Sequence, residues 1–308
     1  MARIGILGAG AMGSYFGALL AIAGHAVALV DPDADRMEAI SRDGLTLVQP
    51  SARRVVAVRA GSAPSLLDQA EFVIVQTKAN DLETAIQSTG SHLGPTTAVA
   101  VLSNGLGCGE VASRWVKPEQ LVYGATAAGA VLDGPAVVRE TVIGNTYLGR
   151  WQSRADATLL RLSSTLDAAG ITTVACDDVE PWIWTKLLVN VVFNAATSVA
   201  KVRNGALVET QAGRRLVEML VGETSAVAAG RGIALTCEDP LAYVMGVGAK
   251  IAENESSMLQ DLLRRRATEV DQINGGVVAE ARRLGLPAPV NEALTHLVHL
   301  CEFGIGVP

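Results

Sequence analysis

Lys186, Asn190 and Asn194 recur at four-residue spacing inside the apolar run Trp184-Thr185-Lys186-Leu187-Leu188-Val189-Asn190-Val191-Val192-Phe193-Asn194. On a helix they occupy successive turns of one face, and a segment this apolar is buried, so the polar groups need partners. An ammonium flanked by amides can donate to an oxygen on which negative charge develops, and can hold the polar groups of a small molecule beside it. A lysine snorkelling to water and asparagines bonded to neighbouring backbone would fit the same spacing. A second polar set runs through Asn254, Ser257 and Asp261 to Glu269. If one helix carried them, a rotation of about 100° per residue would bring Asn254, Ser257 and Glu269 within about 120° of each other. The alternative is a solvated face on which Glu269 pairs with Arg265 or Arg266.

At the other end of the chain, Gly8-Ala9-Gly10-Ala11-Met12-Gly13 has the spacing G-x-G-x-x-G, between a predicted strand at residues 3–7 and a predicted helix at residues 14–24. In that setting the glycines allow a tight turn, close approach of backbone to a pyrophosphate and close helix–strand packing, while the helix start offers N–H groups and positive potential. A glycine-rich corner without ligand is the bland alternative, which the strand-before, helix-after context disfavours. Asp31 ends the second predicted strand, where a carboxylate accepts hydrogen bonds from the adenosine ribose hydroxyls. A 2′-phosphate there would meet Asp31, Asp33 and Asp35, so NAD is expected over NADP unless Arg36 or Arg42 swings across. Lys78 and Asn104 follow the apolar runs at 72–77 and 99–103, just beyond predicted strand ends, where open sheets bind ligands.

These groups need elements to position them. Strands are predicted at 25–30, 54–60, 72–76, 98–102 and 121–127, with helices at 34–42 and 82–88 among them, an alternation that implies a parallel, doubly wound α/β sheet. Segments 136–139 and 146–150 read as a meander completing that sheet, followed by a helix at 155–169 and a strand at 171–175. From Glu180 the strands cease, and helical periodicity covers 181–200, 211–230, 240–247, 251–284 and 290–301. The expected organisation is a dinucleotide-binding Rossmann-type domain at 1–176 and an all-helical substrate-binding domain at 177–308.

With 308 residues, two domains are the natural division, and the net charge of −6 disfavours nucleic acid as a partner. The dense basic run Arg264-Arg265-Arg266 reads as a solvated helix face. The apolar stretch 187–200 is shorter than the roughly 20 residues that span a bilayer, so no membrane segment is expected. Glycines at 5, 8, 10, 13 and 17 argue against a secretory signal near the start. Cys108, Cys176, Cys237 and Cys301 are scattered, as for reduced thiols of a cytoplasmic protein. No metal is expected, since His296 and His299 lie one helical turn apart with no acidic or cysteine partner read in register.

The chain resembles the ketopantoate reductase (2-dehydropantoate 2-reductase) family over nearly its whole length. The resemblance is carried by the glycine fingerprint, Thr77-Lys78-Ala79, Ser103-Asn104-Gly105-Leu106-Gly107, the run from Trp184 to Asn190, Arg203-Asn204-Gly205, Ser256-Ser257-Met258-Leu259-Gln260-Asp261 and Thr268-Glu269-Val270-Asp271-Gln272-Ile273-Asn274-Gly275. It implies an N-terminal Rossmann domain, a helical C-terminal domain and a 2-oxo acid bound in the cleft between them. Hydride would pass from NAD(P)H to the keto group, most naturally of 2-dehydropantoate in pantothenate biosynthesis. Lys186 would be the catalytic acid, assisted by Glu269, with Asn104 orienting the reacting groups. Asn190, Asn194, Asn254 and Ser257 would hold the substrate, and Lys78 would lie on the cofactor side. Val30-Asp31-Pro32 departs from the basic residue the family usually carries there for the NADP phosphate. That departure keeps open another branched or aromatic 2-oxo acid, as in D-mandelate dehydrogenase. A non-catalytic dinucleotide sensor is a further alternative, although it would not need Lys186 and Glu269. A homodimer is left open.

Overall fold

The structure, a computed structural model, describes residues 1–307. Its contacts divide the chain into two compact units, one comprising Met1–Ser103 and Cys108–Val179, the other Asn104–Gly107 with the chain from Glu180 onward.

In the first unit the elements follow the order β1 (Arg3–Leu7), α1 (Ala11–Ile22), β2 (Ala26–Val30), α2 (Ala34–Asp43), β3 (Leu45–Gln49), β4 (Ala52–Val56), β5 (Arg59–Gly61), β6 (Phe72–Val75), α3 (Leu82–Thr89), β7 (Ala98–Val101), α4 (Cys108–Ser113), β8 (Leu121–Thr126), β9 (Gly129–Gly134), β10 (Val137–Val142), β11 (Thr146–Arg150), α5 (Ala157–Ala168) and β12 (Thr173–Cys176). Eight strands form the main sheet in the order β12-β11-β8-β7-β6-β1-β2-β5. All neighbours are parallel except β11 against β8. The central strands β6 and β7 read FVIV and AVAV and are buried at every residue, the pattern of a sheet covered on both faces. Strand order reverses on either side of β1, which puts its carboxyl end at a topological switch point, where such sheets take ligands.

A second sheet, β4-β3-β10-β9, differs from the sequence expectation. The span 54–60 is not one strand: β4 folds back on β3 through Pro50-Ser51, whereas β5 joins β2 in the main sheet. The expected meander is split likewise, since β10 pairs with β3 and β9, and only β11 and β12 complete the main sheet. The small sheet packs on α1, whose other side lies on β2, so this helix is apolar nearly all round. There Tyr15 of α1 donates to Glu140 of β10 at 2.7 Å, and Gln49 donates to the same carboxylate oxygen at 2.9 Å.

The second unit is helical: α6 (Glu180–Ala200), α7 (Gly205–Glu209), α8 (Gln211–Gly230), α9 (Pro240–Lys250), α10 (Ser257–Leu263), α11 (Asn274–Leu284) and α12 (Pro289–Gly304). Helix α6, at 21 residues, is longer than the apolar stretch read from sequence, and by length and composition alone it could cross a membrane. Its most apolar window is 72% buried, and Trp184, Leu187, Leu188, Val191 and Val192 lie in the core of the unit, so it is packed as a central core helix. The start of α12 is held from α8, where Glu223 accepts from Val290 N at 2.8 Å and Asn291 N at 3.0 Å. Asn291 Nδ2 donates to the same Glu223, and Asn274 Nδ2 donates to Asn291 Oδ1 and to the α6 carbonyl of Val191.

The continuous helical periodicity over 251–284 is broken in two places. Ser256 caps a new helix by accepting from Leu259 N, and α10 ends at Leu263 with Arg264 as its C-cap, followed by Arg265 in a left-handed conformation. Residues 264–273 are turn and irregular chain. Asn254, Ser257 and Glu269 therefore do not share a helical face, and the 100° argument fails for them.

Candidate active site

In the first unit, the glycine turn joins β1 to α1, and the helix begins at Ala11 rather than Ser14, so Met12 and Gly13 lie in its first turn. Gly8 has φ +90°, and a Cβ there would stand 2.7 Å from the Thr77 amide nitrogen, so only glycine lets the strand ends approach so closely. A Cβ on Gly13 would fall 1.9 Å from the Gly8 carbonyl oxygen. At Gly10, by contrast, a Cβ would meet nothing within 4 Å. The start of α1 has no side-chain cap. A tight turn, an open position over its middle glycine and an uncapped helix start together suit a pyrophosphate.

Asp31 closes this turn. Its Oδ2 accepts from Ala9 N at 2.8 Å and its Oδ1 from Asp33 N at 3.0 Å. An ionised carboxylate has about four lone-pair positions, so acceptance from ribose hydroxyls remains compatible with both bonds. Arg36, one of two arginines that could have swung toward a 2′-phosphate, is 6% exposed and donates to Ser14 Oγ at 2.6 Å. Arg42, the other, forms a bidentate pair with Asp43. Lys78 is half-buried just beyond β6.

The second unit assembles a polar triplet. Lys186 Nζ on α6 donates to Asn104 Oδ1 at 2.7 Å, and Asn104 Nδ2 donates to Glu269 Oε2 at 3.0 Å. The two bonds fix which end of the amide faces which partner. Glu269 is 3% exposed and lies not on a helix but in the turn before α11, where its own carbonyl accepts from Gln272 N and Ile273 N. It does not lie on a solvated face, as one sequence reading allowed, whereas Arg265 and Arg266 are exposed. The loop bearing Asn104 is anchored to the same turn: Leu106 N donates to Gln272 O at 2.8 Å, and Gly105, with φ +88°, passes so close that a Cβ would lie 2.4 Å from that oxygen. Gln272 thus positions Asn104, a role that spacing does not disclose because the anchoring atom is a backbone carbonyl.

Along α6, Asn190 is half-buried and Asn194 is 5% exposed, continuing the face of Lys186 into the core. Asn254 and Ser257 are exposed, in the turn before α10 and in its first turn. That turn is pinned by the Arg203-Asn204-Gly205 segment: Asn204 N donates to Asn254 O, Asn204 Nδ2 to Ile251 O and Gly205 N to Ala252 O.

A doubly wound sheet with a glycine turn at its switch point, and an ammonium held by an amide and a buried carboxylate, define a dinucleotide-dependent oxidoreductase of two-unit build. Comparison with known proteins agrees. The family models "Ketopantoate reductase PanE/ApbA" and "Ketopantoate reductase PanE/ApbA C terminal" match residues 4–153 and 178–302. A 2-dehydropantoate 2-reductase of Halobacterium salinarum is 35% identical over 97% of this chain and 99% of its own length. Among solved structures, D-mandelate dehydrogenase with NADH and anilino(oxo)acetate has a TM-score of 0.94 at 30% identity, covering 99% of this chain and 100% of that one. A PanE/ApbA family ketopantoate reductase from Ralstonia eutropha gives 0.90 at 29% identity, over 98% and 99%. The chain belongs to the ketopantoate reductase family. Its members are NAD(P)-dependent oxidoreductases acting on small 2-oxo acids, which sets aside the non-catalytic sensor.

Proposed function

We propose that this protein reduces the keto group of 2-dehydropantoate to the hydroxyl of pantoate, with Lys186 as the proton donor. The observation that carries the proposal is the Lys186–Asn104–Glu269 triplet in a chain of this family. When bound at the glycine turn, the dinucleotide supplies the hydride to the keto carbon. As the carbonyl oxygen becomes an alkoxide, the Lys186 ammonium stabilises its charge and gives it a proton. Asn104 holds the ammonium at one end of its amide and Glu269 at the other, so the donor is oriented before the reaction rather than during it. Asn190 and Asn194 extend the polar face of α6, and Asn254 and Ser257 offer exposed groups for the substrate hydroxyl and carboxylate. The boundary near residue 177 would separate the dinucleotide-binding part from the substrate-binding part.

For the cofactor we propose NADH. Asp31 in place of a basic residue, and Arg36 tied to Ser14 inside the fold, support that reading. The same features, together with the likeness to a D-mandelate dehydrogenase described with NADH, favour an aromatic or other branched 2-oxo acid as the second reading. Assay of a panel of 2-oxo acids with NADH and NADPH decides between them. Lys186→Ala should retain dinucleotide binding and lose turnover by at least about a hundredfold, the contribution of a positioned general acid. Undiminished turnover in that variant would remove Lys186 from the mechanism.

A further inference from the structure

Thr268, Val270 and Asp271 surround Glu269 in an irregular turn that is part of no helix or strand. What holds this turn comes from the last turns of α12. Glu302, 8% exposed, accepts from Thr268 N through Oε1 at 2.7 Å, one residue before Glu269. Its other oxygen faces His299 Nδ1 at 3.1 Å, and His299 Nε2 faces Asp271 Oδ1 at 3.0 Å, two residues after Glu269. His299 thus has acidic neighbours on both ring nitrogens, contrary to the expectation from sequence, because Glu302 follows one helical turn later and the fold brings Asp271 alongside. The turn is gripped on both sides of the residue whose carboxylate holds Asn104.

We infer that Glu302, bridged by His299 to Asp271, is a positioning residue that aims the Glu269 carboxylate at Asn104 and so sets the direction of the Lys186 ammonium. Glu302 touches none of the reacting groups and acts through the Thr268 backbone. A buried carboxylate accepting from a backbone N–H fixes that amide in place, and a displacement of about 1 Å at a catalytic group costs about 10²-fold in rate. The inference rests on the proposed role of Lys186, but its structural half is independent of any substrate.

The experiment pairs Glu302→Ala with Glu302→Gln and with Glu223→Ala as a control at the opposite end of α12. Glu302→Ala should lower kcat by at least about tenfold without raising KM for the dinucleotide, and should speed hydrogen exchange at the Thr268 and Leu106 amides. Glu302→Gln, which keeps an oxygen for Thr268 N, should restore kcat to within about threefold of wild type. Glu223→Ala should lower Tm while leaving kcat and those two amides unchanged. In a Glu269→Gln background the Glu302→Ala loss should vanish, since both changes act through one group. If Glu302→Ala does not fold, His299→Ala, at a more exposed position, carries the same test with about a threefold loss. Unchanged exchange at Thr268 and Leu106 in the Glu302 or His299 variant overturns the inference whether or not Lys186 proves catalytic. An equal loss with and without Glu269 overturns it too.

Discussion

Asn104 links Lys186 to Glu269, accepting from the Lys186 ammonium at 2.7 Å and donating to the Glu269 carboxylate at 3.0 Å. A neutral amide there holds a cation and an anion in place without neutralising either. Asn104→Asp would set a carboxylate beside the Glu269 carboxylate, and like charges at hydrogen-bond distance repel. Turnover of Asn104→Asp is expected to fall by about 10²-fold, measured as kcat at saturating substrate. Wild-type kcat would show that the amide orientation is immaterial.

The two glycines that flank Ala11 and Met12 should respond oppositely to the same substitution. Gly13→Ala forces a Cβ onto the Gly8 carbonyl and should destabilise the fold by about 1–3 kcal/mol, the cost of overpacking. Gly10→Ala meets no protein atom, so its stability should stay within about 0.5 kcal/mol of wild type. Its dinucleotide affinity should nevertheless fall, because the added methyl occupies space left for the ligand. Urea denaturation and calorimetric titration of both variants check this; unaltered affinity in Gly10→Ala would mean that the cofactor lies elsewhere.

Asp31 bears on the choice between the two nicotinamide cofactors. The wild type should show a higher kcat/KM with NADH than with NADPH, and Asp31→Ala should narrow that difference by removing the charge that faces a 2′-phosphate. Part of the loss with NADH should come from the freed Ala9 amide, which Asp31 now holds. A wild-type preference for NADPH would reverse the assignment.

Tyr15 gives the first unit an alkaline limit. Burial first, and then the hydrogen bond to Glu140 and the charge of that carboxylate, raise the Tyr15 pKa well above the ordinary tyrosine value. A group whose folded pKa is raised contributes stability that is whole below the unfolded pKa of about 10 and drains away as pH rises beyond it, at up to about 1.4 kcal/mol per pH unit. Tyr15→Phe should be less stable than wild type at pH 8 and lose less between pH 8 and 11. Parallel slopes for the two proteins, followed by urea denaturation, would rule Tyr15 out as the cause.

The core of the main sheet was legible because its central strands are short and apolar and alternate with helices, and because the glycine spacing marks where β1 ends. The small sheet was not. Leu45–Gln49 is short and mixes Leu and Val with Thr46 and Gln49, and its partner β10 lies about ninety residues further on, a pairing for which local periodicity carries no signal. In the helical unit, Lys186 could be picked out as a polar exception in an apolar run. Glu269 was singled out partly for a reason that fails, since the helix meant to carry it ends at Leu263. What places it is a turn held by Glu302, His299 and the Gln272 carbonyl, contacts that depend on tertiary folding. Nothing in the spacing distinguishes a carboxylate that caps a distant backbone amide from one in solvent.

Asn104–Gly107 is threaded between a strand and a helix of the first unit, yet its contacts assign it to the second. A fragment beginning at Glu180 would carry the ammonium and the carboxylate without the amide that spaces them. Exchange of helical halves between relatives, by laboratory recombination or in evolution, would therefore call for these four residues to travel with the helical half or already to match it. The seam of inheritance is thus not the seam of the chain.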